Sequence, residues 1–389
     1  MSIDRTESRA NVNIAEPPQG FADVVVGGQA GSEGKGAVAG HLARRNQYGG
    51  AVRPGSSNAG HTVYDADESP HIQQVIPSPG IVDPEVDLLM AAESSFGLGE
   101  IQDEIERLVD LHGEGTRDRI YVDPKAAIID EGHRELERDR SLGEEIGSTV
   151  HGCGAVRSEK IWRSAGSADL AEDRPELQPY VDSRVASRLL EYGRRGESVI
   201  VEGTQGTQLS MNQSNHYPFT TSRDCTASSF LSSAGLPPSA VRDVWVVFRT
   251  YPIRAGENSG PMDTEEIDFE TIAERAGHDE PPTELASVTE RNRRVFEWSW
   301  QQFREAIELN DPDKIAITFL DYLDVDNYGV GTFAELTPET REWLRSVDEV
   351  VANTDAELGL FKTGPKPDHV IDLQDDPVDL RSVGSAQEA

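Results

Sequence analysis

Long apolar runs, basic patches, lysine and cysteine are all scarce in this chain, and each scarcity closes off a class of function. No stretch of eighteen apolar residues occurs, so a membrane span is excluded. The N-terminus has no basic region followed by an apolar stretch, so export is not expected and a cytoplasmic protein is. Two cysteines, Cys153 and Cys225, are too few for a disulfide framework or a cysteine-built zinc site. Acidic residues number 70 against 36 basic ones, of which six are lysine, and the net charge is −34. No basic stripe offsets such a field, which argues against nucleic-acid binding. A surface this acidic repels itself unless salt screens it, with a Debye length of about 3 Å at 1 M, and adaptation to a salty cytoplasm is the expected reason. A small phosphorylated ligand stays open if the few cations converge.

The 389 residues are enough for a large buried core. Residues 1–20 are polar and without periodicity, and are expected to be a flexible leader; 374–389 read as a flexible acidic tail. Between them, 21–373 alternates short apolar runs with amphipathic stretches. Strands are expected at Asp23–Val26, Ser198–Val201, Val244–Phe248, Lys314–Thr318 and Val350–Ala352. Helices are expected at Glu33–Arg45, Glu100–Leu111, Pro179–Gly193, Arg294–Leu309 and Pro338–Ser346. That order predicts an α/β fold, a mostly parallel central sheet with helices on both faces. Its opening is P-loop NTPase-like, and its loops are large.

The densest chemistry lies at the first strand. Val24-Val25-Val26 runs into Gly27-Gly28-Gln29-Ala30-Gly31-Ser32-Glu33-Gly34-Lys35-Gly36, five glycines and a lysine before a helix start. Backbone N–H groups and a helix N-terminus make such a loop a phosphate cradle. Its spacing is unusual, because five residues separate Gly28 from Gly34 and Gly36 stands where a magnesium-binding Ser or Thr would follow the lysine. Four further segments bring polar groups. Arg53 to Val63 delivers Asn58 and His61; Gly147 to Gly154 sets Ser148 and Thr149 among glycines, with Lys160 and Arg163 downstream. Glu202-Gly203-Thr204-Gln205-Gly206-Thr207 follows a strand, ahead of Tyr217 to Thr226. Ser287 to Arg294 packs Arg291, Arg293 and Arg294 into four residues, a planar clamp for carboxylate or phosphate. Taken singly, each also reads as a structural histidine, a polar surface loop or a solvated helix start.

Together and in order, these segments resemble the adenylosuccinate synthetase family. The family's Gly-Asp-Glu-Gly-Lys-Gly corresponds to Gly31 to Gly36, its Asn-Ala-Gly-His-Thr to Asn58 to Thr62, and its Glu-Gly-x-Gln-Gly-Thr to Glu202 to Thr207. Its Tyr-Pro-x-x-Thr-Ser appears at Tyr217 to Ser222, its arginine-rich aspartate loop at Thr289 to Arg294, and a late Thr-Gly-Pro at Thr363 to Pro365. The resemblance implies a carbon–nitrogen ligase that phosphorylates a purine 6-oxo group from a nucleoside triphosphate, then displaces phosphate with the amine of L-aspartate. It implies Lys35 and His61 as catalytic groups, with Ser32 at the position of the family's catalytic aspartate. Asn58, Ser148, Thr149, Gln205, Thr221 and Arg163 would hold the purine nucleoside monophosphate, Arg163 across a homodimer interface. Thr289 and Arg291 would bind aspartate. Gly31, Glu33, Gly34, Lys35, Gly36, Arg293, Asp321, Thr363 and Gly364 would bind ATP or GTP. Mg²⁺ would use the Gly60 carbonyl, the Ser32 position and phosphate oxygens.

Two departures fall where chemistry is decided. Ser32 replaces the aspartate that takes the purine N1 proton and helps hold magnesium, and a neutral hydroxyl is a poor base near pH 7. A serine also leaves room beside purine C2, where guanine carries an amino group. The guanine-reading Thr-Lys-x-Asp is Thr318-Phe319-Leu320-Asp321 here, and a phenyl ring stacks on any purine. Both changes resemble the family's branch in phages that make 2-aminoadenine DNA, whose members condense dGMP with aspartate using an adenine nucleotide. The expected reaction is therefore dGMP, aspartate and ATP to 2-amino-2′-deoxy-N6-succinyladenylate. The alternatives are the ordinary reaction on IMP with GTP, or a nucleotide-binding protein that has lost catalysis.

Overall fold

The computed structural model describes residues 16–164, 166, 168–182, 184–284, 293–378 and 380. Nine strands form the central sheet: β1 Ala22–Gly27, β2 Tyr48–Val52, β3 Asp87–Met90, β4 Ile120–Val122, β5 Ser198–Glu202, β6 Val241–Arg249, β7 Lys314–Thr318, β8 Glu357–Lys362 and β9 Val370–Asp372. Their spatial order is β9-β8-β7-β6-β1-β5-β2-β3-β4. All pairs run parallel except β8 with β9 at one edge.

Each central strand is buried on both faces, which is why the strands read as unbroken apolar runs and not as alternating ones. Val24 and Val26 point into one core layer with Leu189, Phe230, Phe303 and Leu344, from helices on that face. Val25 points into the other, with Val38 and Leu42 of helix Lys35–Arg45 and with Ile101 and Ile105 of helix Leu98–His112. Helices on both faces of a mostly parallel sheet are thus confirmed.

Three expectations change. Residues Arg293–Phe296 are a strand, paired antiparallel with Ile253–Ala255 and Glu266–Ile267, and the helix begins only at Trp300, where the Ser299 hydroxyl caps the Gln302 N–H. Burial of Val295 and Phe296 in that small sheet overrides the helical pattern. Val350–Ala352 is not a strand but the end of helix Pro338–Val351, whose Leu344, Val347 and Val351 recur at helical spacing on a buried face. The strand comes later, as β8. The helix expected from Pro179 starts at Val185, after a bridge between Val122 and Val181 holds the chain extended.

Candidate active site

Adjacent parallel strands put their carboxyl ends side by side, and open sheets of this kind collect ligands there. The phosphate loop leaves β1, the Asn58–His61 segment follows β2, Glu202 ends β5, Arg249 ends β6 and Thr318 ends β7. These loops enclose a cleft of about 630 Å³. Gly31, Ser32, Gly34, Lys35, Gly36, Asn58, Gly60, His61, Ser148, Thr149, Gln205, Thr221 and Arg293 all line it. Segments far apart in sequence therefore converge on one cavity.

The loop is organised around a carboxylate. Glu33 is fully buried; its Oε1 accepts the N–H groups of Gln29 (3.1 Å) and Gly31 (2.8 Å), and its Oε2 holds Lys35 Nζ at 2.7 Å. The Glu33 side chain thus lies beneath the loop and not on the cleft wall, where the sequence had placed it. Ser32 turns through a left-handed conformation (φ 59°) and Gly34 through another (φ 85°) immediately before the helix starts at Lys35. Gly36 has a packing reason: a Cβ there would come within 2.8 Å of the His61 Cβ and 3.0 Å of the Thr62 carbonyl. No serine or threonine fits after this lysine.

His61 begins the hairpin strand His61–Tyr64 and meets Glu202 through Nδ1. Glu202 also accepts from the Ser78 N–H (2.6 Å) and hydroxyl (2.7 Å), with Arg53 at 3.9 Å. Burial alone would raise the Glu202 carboxyl, but the His61 ring, Arg53 and the Ser78 donors hold it down at about 2. Burial and then Arg53 push His61 down to about 4. A carboxylate facing Nδ1 fixes the tautomer with its proton on that nitrogen. Elsewhere on the wall, Gln205 Nε2 donates to Asn58 Oδ1 at 3.0 Å. Glu137 takes the N–H groups of Gly152 and Gly154, both at 2.8 Å, and so fixes the loop that carries Ser148 and Thr149.

Several expected residues lie away from this cleft. Arg163 ends helix Cys153–Trp162, outside the cavity wall. Asp321 is buried beyond β7, its Oδ1 without a partner among the described residues, and burial raises it to about 6. The Thr363 hydroxyl donates to the Val330 carbonyl, and Gly364 packs on His369. Asp321, Thr363 and Gly364 belong to the β7 and β8 ends, not to the cavity. Thr289 and Arg291 lie outside the described residues. Sequence reasoning missed Arg254, which lines the cleft, is 2% exposed, and is pushed down to about 10 by burial and then by Arg294. Its only signal was an arginine shortly after a strand end.

A family model described as adenylosuccinate synthetase matches residues 24–172 and 167–333. The chain belongs to the adenylosuccinate synthetase family. It is 36% identical over 354 residues to the adenylosuccinate synthetase of Thermococcus onnurineus, covering 90% of this chain and 98% of that one. With that of Methanocaldococcus jannaschii it shares 35% over 355 residues, at 91% and 97% coverage. Among solved structures it is similar to a cyanophage S-2L succinoaminodeoxyadenylate synthetase bound to dGMP and dATP, with a TM-score of 0.74, 27% identity and coverage of 90% and 95%. The adenylosuccinate synthetase of Plasmodium falciparum, at a TM-score of 0.77 and 18% identity, shares the fold. Family membership makes the chain a carbon–nitrogen ligase that joins aspartate to a purine nucleotide.

Proposed function

We propose that this ligase takes a 6-oxopurine monophosphate bearing a 2-amino group, dGMP in the leading case, and uses ATP to condense it with L-aspartate. The observation that carries the reading is Ser32 on the cleft wall, where the family's aspartate would stand. A short hydroxyl leaves space beside C2 and accepts a hydrogen bond from an exocyclic amine. The likeness to a phage enzyme bound to dGMP and dATP supports it. So does Phe319, which also lines the cleft and offers an aromatic face for an adenine ring.

The proposed division of labour rests on the family's motifs, and the convergence of most of these residues on one cleft supports it. Asn58, Ser148, Thr149, Gln205 and Thr221 hold the mononucleotide, with Arg163 supplied by a second protomer. Ile161 and Trp162, 70% and 76% exposed beside Arg163, give that partner an apolar surface to cover. Lys35 balances charge on the transferred phosphoryl while Gly31, Gly34, Gly36 and Arg293 hold the donor. Glu202 holds His61 through Nδ1, so Nε2 is left for the purine oxygen; protonated there as well, the ring would donate a hydrogen bond or its proton to that oxygen as negative charge develops on it. Thr289 and Arg291 receive aspartate; Asp321, Thr363 and Gly364, at the β7 and β8 ends outside the cavity, would meet a donor base that extends past it. Ser32 and Gly60 both line the cleft, and a serine hydroxyl with a backbone carbonyl is a neutral hard-oxygen donor set that fits Mg²⁺ sharing its shell with phosphates and water. Bound there, the ion would supply charge neutralisation on the phosphates.

The second reading is the ordinary reaction on IMP with GTP, favoured by relatives of that name at 35–36% identity over nine-tenths of the chain. Phosphate release by the purified protein at high salt, with Mg²⁺ and aspartate, separates the two. Faster turnover of dGMP with ATP than of IMP with GTP is expected. The reverse order overturns the assignment, and silence under both pairs favours a binding protein.

A further inference from the structure

Arg249 closes β6 and is completely buried, and none of the motifs named above includes it. Its backbone N–H donates to Gln29 Oε1 (2.9 Å), and Gln29 Nε2 returns a bond to the Arg249 carbonyl (3.0 Å). Its guanidinium reaches the Ser32 carbonyl at 3.3 Å and lies over the Phe319 ring, 3.9 Å from the centroid. The same guanidinium forks onto Glu284, at 2.5 and 3.1 Å. Glu284 also holds Arg293, the arginine on the cleft wall. One carboxylate thus joins two arginines, one behind the phosphate loop and one in front of it.

The charge of this trio matters. Two guanidiniums share a single carboxylate, leaving an excess positive charge inside a chain of net −34. Glu33 and Asp321 are near enough to act on Arg249, but neither is paired with it. Among the described residues, the Nε–H groups of Arg249 and Arg293 are both buried without a partner. A buried arginine–carboxylate–arginine set is weak as a source of stability and strong as a fixed geometry. Planar forks hold a guanidinium in one orientation, as an ammonium would not be held.

The geometry points to Glu284 as a positioning residue for the triphosphate donor. It aims Arg293 into the cleft and, through Arg249, ties that aim to Ser32 and Phe319. The inference rests on the family's use of a nucleoside triphosphate and not on which purine accepts the phosphoryl group.

The test compares the full-length parent with Glu284→Gln, which keeps shape and removes charge. Calorimetric binding of ATP and of GTP with Mg²⁺ should weaken by about tenfold, and kcat should fall by at least as much. Mononucleotide binding should stay within about twofold, and Glu284→Asp should recover most of the loss. Arg249→Met should weaken donor binding too, and the double variant should lose no more than the worse single one. Parent-like donor binding in Glu284→Gln overturns the inference. So does an equal loss for mononucleotide and donor, the mark of a merely structural residue. So does strict additivity in the double variant. Because donor binding is read without turnover, a wrong assignment of the purine leaves this result intact.

Discussion

Aspartate and asparagine are among the few side chains that tolerate a left-handed backbone, so the φ of 59° at Ser32 can accept the family's residue without refolding the loop. Ser32→Asp therefore tests chemistry alone. It restores a base near N1 and fills the space beside C2, and the ratio of kcat/KM for dGMP over IMP should drop by about tenfold or more. A ratio equal to the parent's would remove Ser32 as the selector. Lys35→Ala should abolish phosphate release with the fold retained in circular dichroism, because Glu33 keeps its two backbone donors; undiminished turnover would take the lysine out of the mechanism. The histidine dyad leaves a mark on stability. His61 sits at about 4 against an ordinary 6.5, so between those values the unfolded chain takes up a proton that the folded chain refuses. Stability must fall as pH falls through that window, and Glu202, held at about 2, adds its own loss below its ordinary 4.5. Melting of His61→Asn at pH 7, 6 and 5 should show a flatter slope than the parent; an identical slope would place the acid sensitivity elsewhere.

At the scale of elements, the legible parts were those where local and tertiary demands agree. Val24 to Gly36 is an apolar β-branched run ending in glycines; strand and loop stand there as read, and the helix starts two residues later than expected, at Lys35. Lys314–Thr318 matched to the residue for the same reason. Arg293–Phe296 could not be read, because its strand character comes from Ile253–Ala255 and Glu266–Ile267, partners nearly forty and thirty residues away. The cleft was legible as a set of motifs, since each carries its own polar signature. The groups behind it were not: Glu284 and Arg249 look like ordinary surface charges until the fold brings them together. Gly206 shows how tightly two loops depend on each other. A Cβ there would strike the Glu33 carboxylate and the Gln29 carbonyl, so Gly206→Ala must dislodge the carboxylate that holds the phosphate loop. We expect about 1–3 kcal/mol of destabilisation together with a loss of most activity. Full activity in that variant would mean the loop does not need Glu33 in place.

Across the whole molecule charge is lopsided, and the fold draws some of its few cations inward together with carboxylates. Arg53, Arg249 and Arg254 are each 2% exposed or less, and Lys35 is 3% exposed. Buried carboxylates, Glu33, Glu104 and Glu202 among them, balance these buried cations, so the outer surface carries nearly the whole net charge of −34. Repulsion between surface carboxylates acts over the Debye length, about 10 Å at 0.1 M and about 3 Å at 1 M, so added salt should relieve it steeply over that range. The cleft responds differently, because its pairs are buried and poorly screened. Melting temperature should therefore climb from 0.1 to 2 M salt, equally in KCl and NaCl, whereas the affinity for the anionic donor should weaken far less than exposed pairing would allow. A melting temperature that is flat or falls with salt would show that the acidic surface is not held together by screening. A gain seen with one cation only would replace general screening with a specific ion site.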